Sequence, residues 1–168
     1  MFRLYFFMHW IVDGYNVILS DRMLAKLFKA SNELGREDLI NTIMHSDMPK
    51  GERVTIVFDG KFASSEERVG SNVRVKFTST GETADDVIKG EIARSTRRRS
   101  LRIVSDDNSI STYARECGAV AVGSKDFLSM LRGRGQGTDP ATDLVDEKPA
   151  AGGSLDTELL KLFREEKK

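Results

Sequence analysis

The sequence holds a single cysteine, Cys117, and only two histidines, His9 and His45, among its 168 residues. A lone thiol cannot close an internal disulfide, so a reducing compartment is expected and Cys117 reads as structural filler. With so few sulfur and imidazole donors, zinc is disfavoured, and both histidines read as structural or solvated. Net charge is missing as well: 26 basic and 26 acidic residues cancel. The whole molecule therefore does not attract a polyanion, and any nucleic-acid contact must come from local patches. No stretch approaches the ~20 apolar residues of a membrane span. The opening MFRLYFFMHWIVDG has the apolar character of a secretory leader, but it lacks a small-residue cleavage site and runs straight into a strand-like segment. A cytoplasmic protein with no membrane partner is expected, and Met8 would serve as well as Met1 as a start.

What is present fits one globular domain. Hydrophobic residues at 39% and charged residues at 31% are ordinary for a chain that buries a core, and the length suits one core rather than two. Three apolar runs share one design, a β-branched stretch ending on an aspartate. They are Trp10-Ile11-Val12-Asp13, Val54-Thr55-Ile56-Val57-Phe58-Asp59 and Ile103-Val104-Ser105-Asp106. Runs without alternation suit strands buried on both faces of a parallel sheet. Ala119 to Val122 reads as a fourth buried run, and Asn72 to Thr78 alternates like an edge strand exposed on one side.

Helical spacing lies between the runs. Met23, Leu24, Leu27 and Phe28 make one apolar face, and Leu39, Ile40, Ile43 and Met44 make another. Further helices are expected over Ile110 to Cys117 and Phe127 to Leu131. Strands alternating with helices predict a three-layer α/β/α domain with a central, mainly parallel sheet, over residues 8–132. The Gly-, Thr-, Asp- and Pro-rich segment 133–153 predicts a flexible linker. Leu155, Leu159, Leu162 and Phe163 predict a short amphipathic helix over 154–168.

In an open α/β sheet, ligands bind beyond the carboxyl ends of the strands, where the winding direction changes. Asp13, Asp59 and Asp106 all end strands, so the fold would bring three carboxylates to one edge. Any one of them alone reads equally well as a cap or loop residue. A fourth comes from Gly81-Glu82-Thr83-Ala84-Asp85-Asp86-Val87-Ile88, where Thr83 is a natural N-cap. At about 100° per residue, Asp85 falls on the margin of the apolar face made by Ala84, Val87, Ile88 and Ile92, whereas Asp86 points the opposite way, to water. Uncompensated, such a cluster repels itself.

Carboxylates from separate elements suit Mg²⁺ or Mn²⁺, hard cations that prefer oxygen and keep several waters. No Ser-His-Asp or Cys-His arrangement is evident, so a metal-activated water is the expected nucleophile. Gly14 would permit a tight turn after the first strand, Asn16 offers a polar group to a water or phosphate oxygen, and Tyr15 reads as packing. A haloacid-dehalogenase-like phosphatase needs an acid two residues after its nucleophile, where this chain has Tyr15. A receiver domain needs an acidic pair at the first strand, and Asp13 stands alone.

Taken together, Ile11-Val12-Asp13-Gly14-Tyr15-Asn16-Val17-Ile18, Val57-Phe58-Asp59-Gly60, the segment Gly81 to Asp86, and Ser105-Asp106 resemble the YacP-like branch of the NYN family, relatives of PIN-domain nucleases. The resemblance covers about residues 9 to 132. It implies a PIN-like fold, a Mg²⁺ or Mn²⁺ site and endoribonuclease activity, with ribosome-associated mRNA cleavage in some relatives. Carried over by motif, the site is Asp13, Asn16, Asp85 and Asp106, with Asp59 as a further acidic neighbour. The extra acid in Ser105-Asp106-Asp107-Asn108 leaves two candidates for one position, and the end of the apolar run favours Asp106.

Arg94, Arg97, Arg98, Arg99 and Arg102 form a basic run at the far end of the Asp85 helix. It offers salt-sensitive phosphate contacts to RNA, or simply complements the helix dipole. About ten helical residues place it ~15 Å from Asp85, so it cannot touch a scissile phosphate there. Lys61, Lys125 and Arg22 follow strand ends more closely. Two functions remain in play: a metal-dependent endoribonuclease, and a noncatalytic RNA- or ribosome-binding module on the same fold. A monomer is expected.

Overall fold

A computed structural model describes residues 7–46, 48, 51–60 and 65–133. The chain divides into two units after Gly135, and every described residue falls in the first. Lys61, the helix expected over 154–168, and all of the expected linker except Gly133 lie outside the described residues.

The first apolar run is β1 (His9–Asp13), which passes without a loop into α1 (Gly14–Ser20). Two helices follow, α2 (Arg22–Ala30) and α3 (Asn32–Met44), then β2 (Arg53–Phe58), β3 (Ser65–Arg68) and β4 (Val73–Phe77). The helix α4 (Ala84–Arg94) leads through a 3-10 turn, Arg98–Ser100, to β5 (Leu101–Val104). The described unit closes with α5 (Asn108–Glu116), β6 (Val120–Val122) and α6 (Ser124–Leu131).

One sheet results, in the order β3-β4-β2-β1-β5-β6. All its pairings are parallel except β3 against β4. From β1 the chain builds outward through β2 and β4 on one side, then returns to lay β5 and β6 on the other. The winding direction thus changes between β1 and β5, and the crevice beyond their carboxyl ends is where such sheets bind ligands.

Helices cover both faces. Ile11, Val57, Leu101 and Ile103 pack with Ile88 and Ile92 of α4 and with Ile110 and Ala114 of α5. Side chains alternate across a strand, so Trp10 points the other way and meets Phe127 of α6, ring centroids 5.5 Å apart. On that second face Phe58 also packs, 5.0 Å from the ring of Tyr15.

Four details differ from expectation. The segment at Asn72 to Thr78 is a strand exposed on one side, but it is not the edge: β3 pairs along its outer flank. All four residues of β3, Ser-Glu-Glu-Arg, are exposed, so the strand carries no apolar periodicity to read. Its charges are the kind that protect an edge from pairing with another chain. Val120 is 42% exposed rather than buried, because among the described residues no strand lies beyond β6. Met23 and Met44 are exposed too, which narrows both helical faces. Gly14 has no positive φ; it is needed because a Cβ there would meet Phe58 Cε1 at 2.2 Å.

Candidate active site

Asp13 ends β1 and caps α1. Its Oδ1 accepts the Asn16 backbone N–H at 3.4 Å, a long bond, and its Oδ2 accepts the Ser105 hydroxyl at 3.1 Å. Burial pushes its pKa up to about 6; those two bonds pull it back, and the Asp59 and Asp107 carboxylates push it up further. Desolvation and like charge both disfavour the ionised form, and among the described residues no basic side chain bonds to Asp13.

Asp59 follows β2 and reaches across to α4, where its Oδ1 accepts the Ala84 N–H at 2.7 Å. This bond fixes the amino end of α4 beside the strand ends. At that end Thr83 Oγ1 accepts the Asp86 N–H at 3.2 Å, while Asp86 Oδ2 accepts the Thr83 N–H at 3.1 Å. The reciprocal pair is a capping box, and it accounts for Asp86, which is exposed. Asp85 turns the other way. Its Oδ2 receives Lys89 Nζ at 3.0 Å, and its Oδ1 is buried with no hydrogen-bond partner among the described residues.

Across the β1–β5 crevice, Asn16 Oδ1 accepts the Asp106 N–H at 2.8 Å and the Ser124 hydroxyl at 3.0 Å. Asp106 Oδ1 in turn accepts the Ser124 N–H at 2.8 Å. Asp107 caps α5 through the N–H groups of Ser109 and Ile110, at 2.7 and 3.2 Å. The two adjacent acids thus divide their tasks: Asp106 joins Asn16 and Ser124, whereas Asp107 starts a helix and adds negative charge near Asp13.

All the oxygens at this edge are hard donors. Even so, among the described residues no three Asp, Glu, His or Cys side chains are drawn together as a group that would hold a metal ion. Asp59 and Asp106 each commit an oxygen to a backbone N–H. Among the described residues Asp13 has no basic partner, and Asp85, though paired with Lys89, keeps an Oδ1 with no hydrogen-bond partner.

The family model for the YacP-like NYN domain matches residues 10–165. The chain belongs to the YacP-like NYN domain family. It is 28% identical over 158 residues to the uncharacterized protein YacP of Bacillus subtilis, covering 91% of this chain and 92% of that one. Two crystal structures of Rae1 (YacP) from Bacillus subtilis share the fold. One, of a mutant form, has a TM-score of 0.62 and 26% identity over 74% of this chain and 75% of its own. The other has a TM-score of 0.59 and 25% identity over 73% and 72%. NYN domains belong to a nuclease-like superfamily whose members generally use divalent metals.

In this NYN domain the basic run is remote from the aspartates. The 3-10 turn that carries it immediately precedes β5, so it lies at the amino ends of the strands, the opposite pole from Asp106. There Arg94, Arg97, Arg98 and Arg99 line an open cavity of about 1170 Å³ with Met8, Cys117 and others. Arg94 pairs with Glu91 at 3.2 Å and Arg98 donates to the Ala93 carbonyl. Among the described residues Arg97, Arg98 and Arg99 pair with no carboxylate. Lys125, exposed in the first turn of α6, follows Ser124 directly and stands at the aspartate edge instead.

Three side chains at the site carry roles that sequence reasoning did not assign. Ser105 and Ser124 are ordinary hydroxyls whose importance depends on where β5 and β6 end. Lys89 had a legible signal, since it lies four residues after Asp85 on one helix face. His9, by contrast, bonds Thr55 Oγ1 at 2.9 Å at the amino end of the sheet, and burial lowers its pKa. Tyr15 packs between Phe28 and Phe58 and its hydroxyl accepts a bond from Arg36. No described helix is long and apolar enough to cross a membrane.

Proposed function

We propose that this NYN domain is a divalent-metal-dependent endoribonuclease acting on single-stranded RNA, mRNA on ribosomes included. Asp13, Asp85, Asp106 and Asn16 form the reaction site, with Asp59 as an acidic neighbour. The observation that carries the reading is the state of two carboxylates: Asp13 is partly buried with no basic side chain bonded to it among the described residues, and Asp85 Oδ1 is buried with no partner. A buried unpartnered oxygen costs about 1–3 kcal/mol, and a cation at this edge would relieve both defects.

The donor set fits Mg²⁺ or Mn²⁺. Such ions keep several waters and need few direct protein oxygens, which agrees with carboxylates at one edge of the sheet that, among the described residues, form no closed group of three. Asp13, Asp85 and Asp106 would hold the ion, with Asp59 close by. When bound, it supplies an acidified water and a countercharge for the phosphate. The chain's own groups do the positioning. Ser105 orients Asp13 through its hydroxyl, and Asp59 anchors the helix that carries Asp85. Asn16 spends its carbonyl oxygen on Asp106 and Ser124, so its amide N–H groups remain to donate to a phosphate oxygen. Lys125 is a flanking phosphate contact. Lys61, two residues after Asp59 in the sequence, is a further phosphate contact, whereas Arg94, Arg97, Arg98 and Arg99 would hold RNA away from the reaction site.

The test is cleavage of a labelled single-stranded RNA, and of mRNA in a translating extract, with Mg²⁺, Mn²⁺ or EDTA. Asp13→Asn and Asp85→Asn should abolish cutting while the protein stays folded. Should the wild type cut neither substrate, yet retain RNA or ribosomes as well as both variants do, the protein is a binding module.

A further inference from the structure

Lys89 sits against the carboxylate whose other oxygen, alone among the side-chain polar atoms of the described residues, is buried with no hydrogen-bond partner. Its Nζ is 3.0 Å from Asp85 Oδ2 and 2.6 Å from Ser109 Oγ, and 6.0 Å from the centroid of the Tyr113 ring. Among the described residues it is the basic side chain that bonds to an aspartate of this edge; Asp13, Asp59, Asp106 and Asp107 bond to none. An ammonium has three donors, and Lys89 commits two of them, so one has no acceptor among the described residues. The side chain is 30% exposed, which leaves the head accessible.

Asp85 is therefore balanced in charge but not in geometry. Its outer oxygen is held by Lys89, while its inner oxygen is buried and unbonded. A divalent cation on the inner oxygen would share one carboxylate with the ammonium, and two cations a few ångströms apart repel. The bond to Ser109, on α5, gives Lys89 a second tether, so loosening it from Asp85 does not release it from the site.

Resting on the reading of this edge as a metal-dependent RNA nuclease, we propose that Lys89 is a positioning residue with two duties. In the metal-free protein it holds Asp85 in place as a resident countercation. As the divalent cation binds it gives ground, and from its tether on Ser109 it presents its ammonium to a phosphate oxygen of the RNA.

A merely structural Lys89, joining α4 to α5, would affect stability alone; this role also changes metal affinity, and in the direction opposite to activity. The experiment titrates Mn²⁺ into the full-length chain without RNA, by calorimetry, for wild type, Lys89→Met, Lys89→Gln and Lys89→Arg, alongside single-turnover RNA cleavage at saturating Mn²⁺. The Gln variant is neutral but can keep the bond to Ser109, which guards against a folding failure in the Met variant. Both neutral variants should bind Mn²⁺ about three- to ten-fold tighter, the effect of removing a competing partly exposed cation, and yet cleave more slowly. Arg should restore the wild-type affinity and part of the rate. Unchanged or weaker Mn²⁺ binding in the folded neutral variants, with a wild type that binds and cuts, overturns the inference alone. A wild type that neither binds Mn²⁺ nor cuts RNA overturns the nuclease reading, and this inference with it.

Discussion

The side-chain oxygen of Asn16 accepts the backbone N–H of Asp106 at 2.8 Å, joining residues 90 positions apart. The bond ties the first turn of α1 to the end of β5, across the place where the sheet reverses its winding. Because Ser124 also donates to that oxygen, Asn16 is fixed from two elements and its amide nitrogen faces away from both.

Replacing Asn16 by Asp keeps the acceptor and removes the donor. The variant should fold, with the Asp106 and Ser124 bonds retained, but lose RNA cleavage. Asn16→Ala should lose both cleavage and about 1 kcal/mol of stability, the typical worth of a removed bond. Urea unfolding paired with single-turnover cleavage separates the two; an Asp variant that cuts like wild type would remove Asn16 from the reaction site.

Asp85 and Asp86 are neighbours with opposite expected phenotypes. Asp86→Ala breaks the capping box with Thr83 and should lower the unfolding midpoint while sparing activity. Asp85→Asn should leave stability near wild type and abolish metal-dependent cleavage. The pair is read by thermal unfolding in EDTA and by the cleavage assay.

Asp13 makes stability depend on pH in the chelated protein. Its folded pKa, about 6, is above that of an unfolded aspartate, so the folded state binds the proton more tightly. The contribution is fully present below about pH 4 and is lost as pH rises through about 6. Asp13→Asn should therefore match wild type at pH 4 and exceed it by about 1–3 kcal/mol at pH 7.5 in EDTA. Denaturant midpoints across that range decide it, and a variant less stable than wild type at pH 7.5 contradicts it.

Gly14 tolerates no side chain without movement of Phe58, whose ring a Cβ would meet at 2.2 Å. Gly14→Ala should lose about 1–3 kcal/mol from overpacking. Adding Phe58→Leu should return part of that loss, since contacting sites are not additive. A double-mutant cycle by urea denaturation measures the coupling.

The basic pole and the aspartate edge should separate in RNA binding. Changing Arg97, Arg98 and Arg99 to Ala should weaken binding of a long RNA and flatten its salt dependence, each lost phosphate contact reducing the slope by about 0.7 for a single strand. Cleavage of a short oligonucleotide at saturation should stay unchanged. Filter binding over a salt series, with the cleavage assay, tests both halves.

Much of this molecule was written in local pattern. Apolar runs ending on Asp13, Asp59 and Asp106 announce strands buried on both faces and carboxylates at one edge, because strand direction and side-chain alternation are local properties. Helical periodicity alone parts Asp85 from Asp86, and the Thr83 cap is likewise a short-range signal.

What only the tertiary structure decided depends on which distant segments meet. The sequence around Ser65–Arg68 has no apolar face, so nothing local marks it as a strand; it becomes one because the free flank of β4 offers a ladder. Gly14 looks like a turn residue until Phe58 is seen against it. Ser105 and Ser124 acquire partners only when β5 and β6 end beside Asp13 and Asn16. The second tether of Lys89, on Ser109, exists only once α4 and α5 are packed side by side, whereas its pairing with Asp85 is local to α4. Sequence determined which residues carry charge to this edge; packing decided which of those charges the protein itself leaves unanswered.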